Sequence, residues 1–220
     1  MRIEVKKSRT IKSLIFVCIL MVLSTALWGC GGTKKLSKDE LKVLCESAME
    51  NEELYFKCTY DLDGEEGTLA ITRKKENYRV EIEAANQLKT TLIVKDNYMY
   101  GLDTEEKTAV KLSMGSQELP MFNIYDYFDD VNWDTIDYTG IEKFNGTDCH
   151  VVLEKNGNSE TKTWFDAKTG FPLKFESKGD NSGYIEVSEF KIGSVSDTSF
   201  DIPDDYEIID FEELLDFSNM

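Results

Sequence analysis

The run Tyr78-Arg79-Val80-Glu81-Ile82-Glu83-Ala84 decides the fold class. Its apolar side chains alternate with charged ones at period two, the pattern of a strand with one covered face and one face in water. Toward the C-terminus, Leu88, Thr90, Leu92 and Val94 keep that period until Lys95-Asp96-Asn97 supplies a turn. Tyr98, Tyr100 and Leu102 continue it, followed by Val110 and Leu112, then Cys149, Val151 and Leu153, the stretch 161–165, and Leu173 with Phe175. Between the runs stand turn formers: Asp63-Gly64, Asn145-Gly146, Asn156-Gly157 and Lys168-Thr169-Gly170. A spacing of about eight to twelve residues per strand leaves room for hairpins and none for crossovers, which predicts an antiparallel meander.

Two stretches break the rhythm. In Tyr184–Ile192, Ile185 and Val187 share a face while Phe190 and Ile192 fall out of step by one, so a β-bulge is expected near Ser188-Glu189. Between Met114 and Trp133 the alternation lapses, and Ile124, Tyr127, Phe128 and Val131 fit a short helix. On the N-terminal side, Ser37-Lys38-Asp39-Glu40 reads as a capping box. Leu41, Leu44, Cys45 and Ala48 then recur at helical spacing, giving an amphipathic helix that should end near Glu50-Asn51. Roughly ten strands against two or three helices make the fold mainly β (α+β). The expected form is a strongly curved antiparallel meander, an incomplete barrel with an N-terminal helix and short lid helices.

The first thirty residues read as an address. Arg2, Lys6, Lys7, Arg9 and Lys12 precede an apolar run from Leu14 to Trp28, which ends Leu27-Trp28-Gly29-Cys30. That ending resembles the lipobox of bacterial lipoproteins, which implies cleavage before Cys30 and acylation of Cys30. The expected organisation is a signal peptide over 1–29, a lipidated tether over 30–36 and a single β domain over 37–220, at the extracytoplasmic face of a bacterial cell membrane. The whole chain carries 25 Lys plus Arg against 42 Asp plus Glu, a net charge of −17, and loss of residues 1–29 would leave 20 against 41. So acidic a surface cannot hold a membrane through basic residues, so attachment must come from lipid, two or more acyl chains at about 0.8 kcal/mol per buried methylene. The same charge argues against nucleic-acid binding. Of the five cysteines, Cys45, Cys58 and Cys149 remain in the mature chain. A Cys45–Cys58 bridge and three buried thiols are both consistent with the sequence.

Beyond the lipobox, the chain contains Gly146-Thr147-Asp148-Cys149-His150-Val151-Val152, then TWFDAKTGFPLK over 163–174, and closes with FDIPDDYEII over 200–209. With the leading helix and the hairpins, these phrases resemble the LolA/LolB-like superfamily of envelope lipid carriers and their lipoprotein relatives. The resemblance implies an unclosed antiparallel barrel with a helical lid, holding acyl chains.

No residue pattern points to catalysis. Cys149 and His150 are neighbours on one strand, so their side chains must point to opposite faces. His150 is the sole histidine, which argues against a His-based metal site or a His-centred triad. The DLDGEEG stretch at 61–67 places its glycine too early for a calcium loop and reads as a hairpin turn. Asp129-Asp130 and Asp204-Asp205 read as solvated loop carboxylates. The expectation is a protein without catalytic residues, cofactor or metal. Its candidate ligand-binding residues are those of the apolar strand faces: Tyr78, Val80, Ile82, Leu92, Val94, Tyr100, Leu112, Val151, Leu153, Phe165, Leu173 and Phe175. The expected partners are the membrane through Cys30 and a lipid ligand, or alternatively an envelope protein docked through the same fold.

Overall fold

The computed structural model describes residues 33–62, 64–85, 89–114, 131–179 and 182–212. The expected signal peptide, Cys30, Leu88 and the short helix expected around Ile124, Tyr127 and Phe128 lie outside the described residues. The elements below belong to one compact unit, Lys35–Met220.

Helix α1 (Lys38–Met49) begins as the capping box requires. The Glu40 amide donates to Ser37 Oγ at 3.2 Å, and the Ser37 amide donates to Glu40 Oε2 at 2.7 Å. Leu41, Cys45 and Ala48 form its buried stripe, and Glu50 is its C-cap.

Twelve strands follow: β1 (Glu53–Leu62), β2 (Glu65–Lys74), β3 (Asn77–Ala84), β4 (Lys89–Lys95), β5 (Tyr98–Asp103), β6 (Thr108–Ser113), β7 (Asp137–Phe144), β8 (Thr147–Asn156), β9 (Ser159–Asp166), β10 (Pro172–Lys178), β11 (Gly183–Ile192) and β12 (Glu207–Asp210). They make one sheet in the order β12-β6-β5-β4-β3-β2-β1-β11-β10-β9-β8-β7. The expected meander is therefore two meanders, β1–β6 and β7–β11, joined where β11 returns to pair with β1. β12 runs parallel to β6, the one parallel pair among the described strands. β12 and β7 form the two ends of the sheet, so the barrel is unclosed.

The bulge falls where the broken alternation placed it. Lys57 pairs with Glu189 and Cys58 with Val187, leaving Ser188 extra, and the Ser188 hydroxyl donates to the Lys57 carbonyl at 3.2 Å. Tight turns use the expected residues: Asp96 and Asn97 both take positive φ, as do Asn145 and Gly146, the geometry of two-residue hairpins.

The pairing register assigns the two faces. Phe56, Ile71, Val80 and Leu92 lie side by side across β1–β4. Tyr60, Ile185, Phe175, Thr163 and Val152 do the same across β1, β11, β10, β9 and β8. This is the face that α1 covers, since Leu41 and Cys45 share a buried cluster with Val152 and Phe165. The opposite face carries a smaller cluster in which Ile93, Tyr100, Leu102 and Ala109 pack against Val195 and Phe200 of the C-terminal segment. A ladder of lysines reaches across to that segment: Lys74 to Asp197 at 2.7 Å, Lys95 to Asp201 at 3.4 Å, Lys107 to Asp205 at 2.6 Å and Lys111 to Asp210 at 2.9 Å.

Candidate functional site

The helix face holds a cleft of about 210 Å³ between β8–β10 and the segment leading into β7. Its floor follows from the register. Val152 pairs with Thr163 and Thr163 with Phe175, while Glu154 pairs with Thr161 two steps nearer the β8–β9 turn. Val131 and Ile136 form the remaining wall. That wall is pinned from α1, where Lys38 Nζ donates to the Ile136 carbonyl at 3.3 Å and the Asp134 carbonyl at 3.2 Å. Asn132 tightens it further by accepting from the amides of Thr135 and Ile136. The cleft thus runs from a buried end at Val152 and Thr163, 2% and 3% exposed, to a half-buried acidic rim at Glu154.

Most of the twelve residues expected to line a cavity lie elsewhere. Phe175 lines the cleft. Tyr78, Val80, Ile82, Leu92 and Val94 share the helix face, but Val80 is buried in the main core cluster, with Ile82 and Leu92 packed against it. Leu112 lies on the same face, exposed on β6. Leu173 is the extra residue of an irregularity between β9 and β10 and belongs to that core as well. Phe165 packs beneath α1.

Tyr100, Val151 and Leu153 do not face this side. The two-residue turn at Asp96-Asn97 pairs Val94 with Met99 and Ile93 with Tyr100, so Tyr100 joins Ile93 on the opposite face. Val151 and Leu153 pair with Trp164 and Lys162, also on the opposite face, where Trp164 Nε1 donates to Glu142 at 3.1 Å. In Cys149-His150-Val151-Val152 both faces are buried, so hydrophobicity does not distinguish them, and only pairing to β9 does. The residues missed, Val131, Ile136, Val152, Glu154, Thr161 and Thr163, include three polar ones that a search for apolar faces passes over.

His150 is buried on the helix face with Nδ1 2.7 Å from the Tyr138 hydroxyl, and desolvation pushes its pKa down while Asp166 acts weakly the other way. Cys149 faces away from it, its thiol pushed up to about 11 chiefly by burial. Cys45, Cys58 and Cys149 are all free and buried, so the bridged alternative is not the one adopted. Among the described residues no three His, Cys, Asp or Glu side chains could together hold a metal ion. At the start of DLDGEEG, Asp61 accepts from the Gly64 amide at 3.1 Å, a turn interaction. A second concavity of about 390 Å³ lies on the opposite face near Asp61 and Tyr184. It is an open polar groove whose Lys174 is already paired, to Glu186 at 2.7 Å and Glu176 at 3.3 Å.

No protein-family model matches the chain, and neither does any curated protein. Solved structures match it in fold. The MucA/MucB complex of Pseudomonas aeruginosa aligns at 13% identity and a TM-score of 0.50, over 78% of this chain and 62% of the matched one, less than two thirds of its length. The Mycobacterium tuberculosis lipoprotein LppX aligns at 8% identity and 0.44, over 72% and 97% of the two chains. A LolA superfamily protein from Nitrosomonas europaea aligns at 12% identity and 0.34, over 76% and 98%.

Proposed function

We propose that this chain, whose fold is LolA/LolB-like, is a lipid-anchored extracytoplasmic lipoprotein that binds the apolar chain of a lipid, without catalysis, in the helix-face cleft. The observation that carries this reading is the cleft itself: Val131, Ile136, Val152 and Phe175 leave about 210 Å³ unfilled beside the residues packed under α1. Ligand sites are concave, mostly apolar and furnished with a few polar groups, and this one has Thr161, Thr163 and Glu154. A volume below the roughly 300–1,000 Å³ of drug-sized ligand sites suits one short chain better than a multi-chain lipid. The anchor is assigned to Cys30 on the strength of the lipobox.

The test is to purify the full chain, remove loosely associated lipid and extract what remains for mass spectrometry. Non-covalent lipid near one per protein supports the reading, and a protein that leaves purification empty and fails to take up added lipid overturns it.

A second reading, a lipoprotein that docks a partner polypeptide, is favoured by the β12 end of the sheet. Among the described strands β12 is paired only to β6, and Ile208, Phe211, Val110 and Leu112 are exposed there. A sheet edge can accept an added strand, and MucB is itself seen in complex with MucA. Replacing Ile209 with Pro would block β12 pairing and abolish docking while sparing lipid uptake.

A further inference from the structure

The cleft carries two polar features that an apolar chain does not need. Thr163 is 3% exposed and lines the cleft, yet its hydroxyl has no hydrogen-bond partner among the described residues. Buried polar groups are almost always satisfied, and an unsatisfied one calls for a water, an ion or a ligand atom. Glu154 also lines the cleft, and its carboxylate has no ion-pair partner among the described residues. The two lie on neighbouring strands and the same face, two pairing steps apart, since Val152 pairs with Thr163 and Glu154 with Thr161. Both therefore face the same cleft space.

We propose that the cleft selects a single-chain amphiphile with an uncharged hydroxyl or ester head, hydrogen-bonded by Thr163, and rejects carboxylate-headed chains at Glu154. The inference rests on the reading of the cleft as an apolar-chain site and adds its specificity. A fatty-acid carboxylate would place a second negative charge beside Glu154 in a partly desolvated channel, on a chain already at net −17. A cationic head would gain from Glu154 and donate to the Thr163 oxygen, but it offers no acceptor for the Thr163 proton. An ester or hydroxyl head both accepts from Thr163 and meets no like charge.

The experiment uses the full chain in lipid nanodiscs, titrated calorimetrically against empty discs with 1-octanoylglycerol, octanoate and octylammonium, chains short enough to stay largely in water. Octanoylglycerol should bind at least about ten-fold tighter than octanoate, the size of one hydrogen bond or one screened like-charge contact. Thr163→Val should remove most of that advantage and Thr163→Ser should restore it, which separates a lost hydrogen bond from a damaged fold. Glu154→Gln should bring octanoate up toward octanoylglycerol without weakening the latter. Equal binding of all three probes, or Thr163→Val without effect, means that water alone satisfies Thr163 and overturns the selectivity while leaving the apolar site standing. Octylammonium as the tightest probe, lost in Glu154→Gln, overturns it in favour of a cation site. Binding of none of the three overturns the underlying site as well.

Discussion

The Tyr138 hydroxyl lies 2.7 Å from His150 Nδ1, and this contact across the β7–β8 hairpin fixes how the chain's sole imidazole is buried. His150 is 1% exposed, with its ring edge-on to Tyr138 and centroids 5.8 Å apart. The arrangement favours the neutral ring, because desolvation penalises the charged form.

A stability profile follows from that depressed pKa. Below the ordinary imidazole value of about 6.5 the unfolded chain takes up a proton that the folded chain resists, so folding stability must fall as pH falls through that value. Urea midpoints measured from pH 7.5 to 5.5 should decline on the acid side, and the decline should flatten in His150→Gln. An equal slope in both proteins would mean that the imidazole titrates normally when folded. The carboxylates held low by lysines, such as Glu142 beside Lys162, act in a separate window below their ordinary range.

The β9–β10 turn sets a steric prediction. Asp166 accepts from the amides of Lys168 and Thr169 and from the Thr169 hydroxyl, and Gly170 closes the turn at φ +75°. A Cβ on Gly170 would collide with the Leu44 carbonyl and come within 2.9 Å of the Cys45 amide, so the turn sits directly on the α1 backbone. Gly157 takes a similar φ of +60° with open space around it. Gly157→Ala should therefore cost about 1 kcal/mol for the left-handed backbone alone, and Gly170→Ala clearly more, as read by denaturant. Equal costs would show that the turn can lift from the helix freely.

What the sequence displayed was local. The capping box, the turn pairs and the Ser188 bulge depend on residues close in the chain, and each is found where the residues placed it. What it concealed was long-range or short. The β1–β11 pairing joins segments more than a hundred residues apart, and the break in the alternation of β11 at Ser188 does not say which strand lies opposite. β12 has four residues and β7 is broken by an irregularity between Tyr138 and Gly140, so neither shows a clean period. The cleft was concealed for a related reason: it forms where one polar residue, Thr163, occupies a buried strand position, and alternation identifies apolar faces rather than gaps in them.

The helix start should be worth its usual amount. Ser37→Ala removes an acceptor from the first turn of α1 and should lower stability by about 1 kcal/mol. Thermal melts of the two proteins check this, and coincident curves would show that α1 contributes little to the cooperative unit.

On the opposite face the apolar contacts should outweigh the ion pairs. Phe200 is 2% exposed against Ile93 and Tyr100, and Phe200→Ala should cost about 3–5 kcal/mol. Lys107 and Asp205 are both more than half exposed, so Lys107→Met should leave the denaturation midpoint unchanged despite the 2.6 Å contact. A large loss from Lys107→Met would make the lysine ladder, rather than Phe200, the fastening of the C-terminal segment.

Enlarging a side chain separates a cavity from a filled core. Val152 borders the cleft, whereas Val80, 1% exposed between Ile71 and Leu92, borders none. Val80→Phe must force its neighbours apart, at a cost of about 1–3 kcal/mol. Val152→Phe can turn its ring into the space framed by Val131, Ile136 and Phe175, and should cost less than about 1 kcal/mol. The same ring would occupy the volume offered to a lipid chain, so Val152→Phe should fold, melt near the parent and leave purification without lipid. Val80→Phe should melt lower and keep its lipid. If Val152→Phe is as destabilising as Val80→Phe, the cleft is not available space, and any bound lipid must sit elsewhere on the fold.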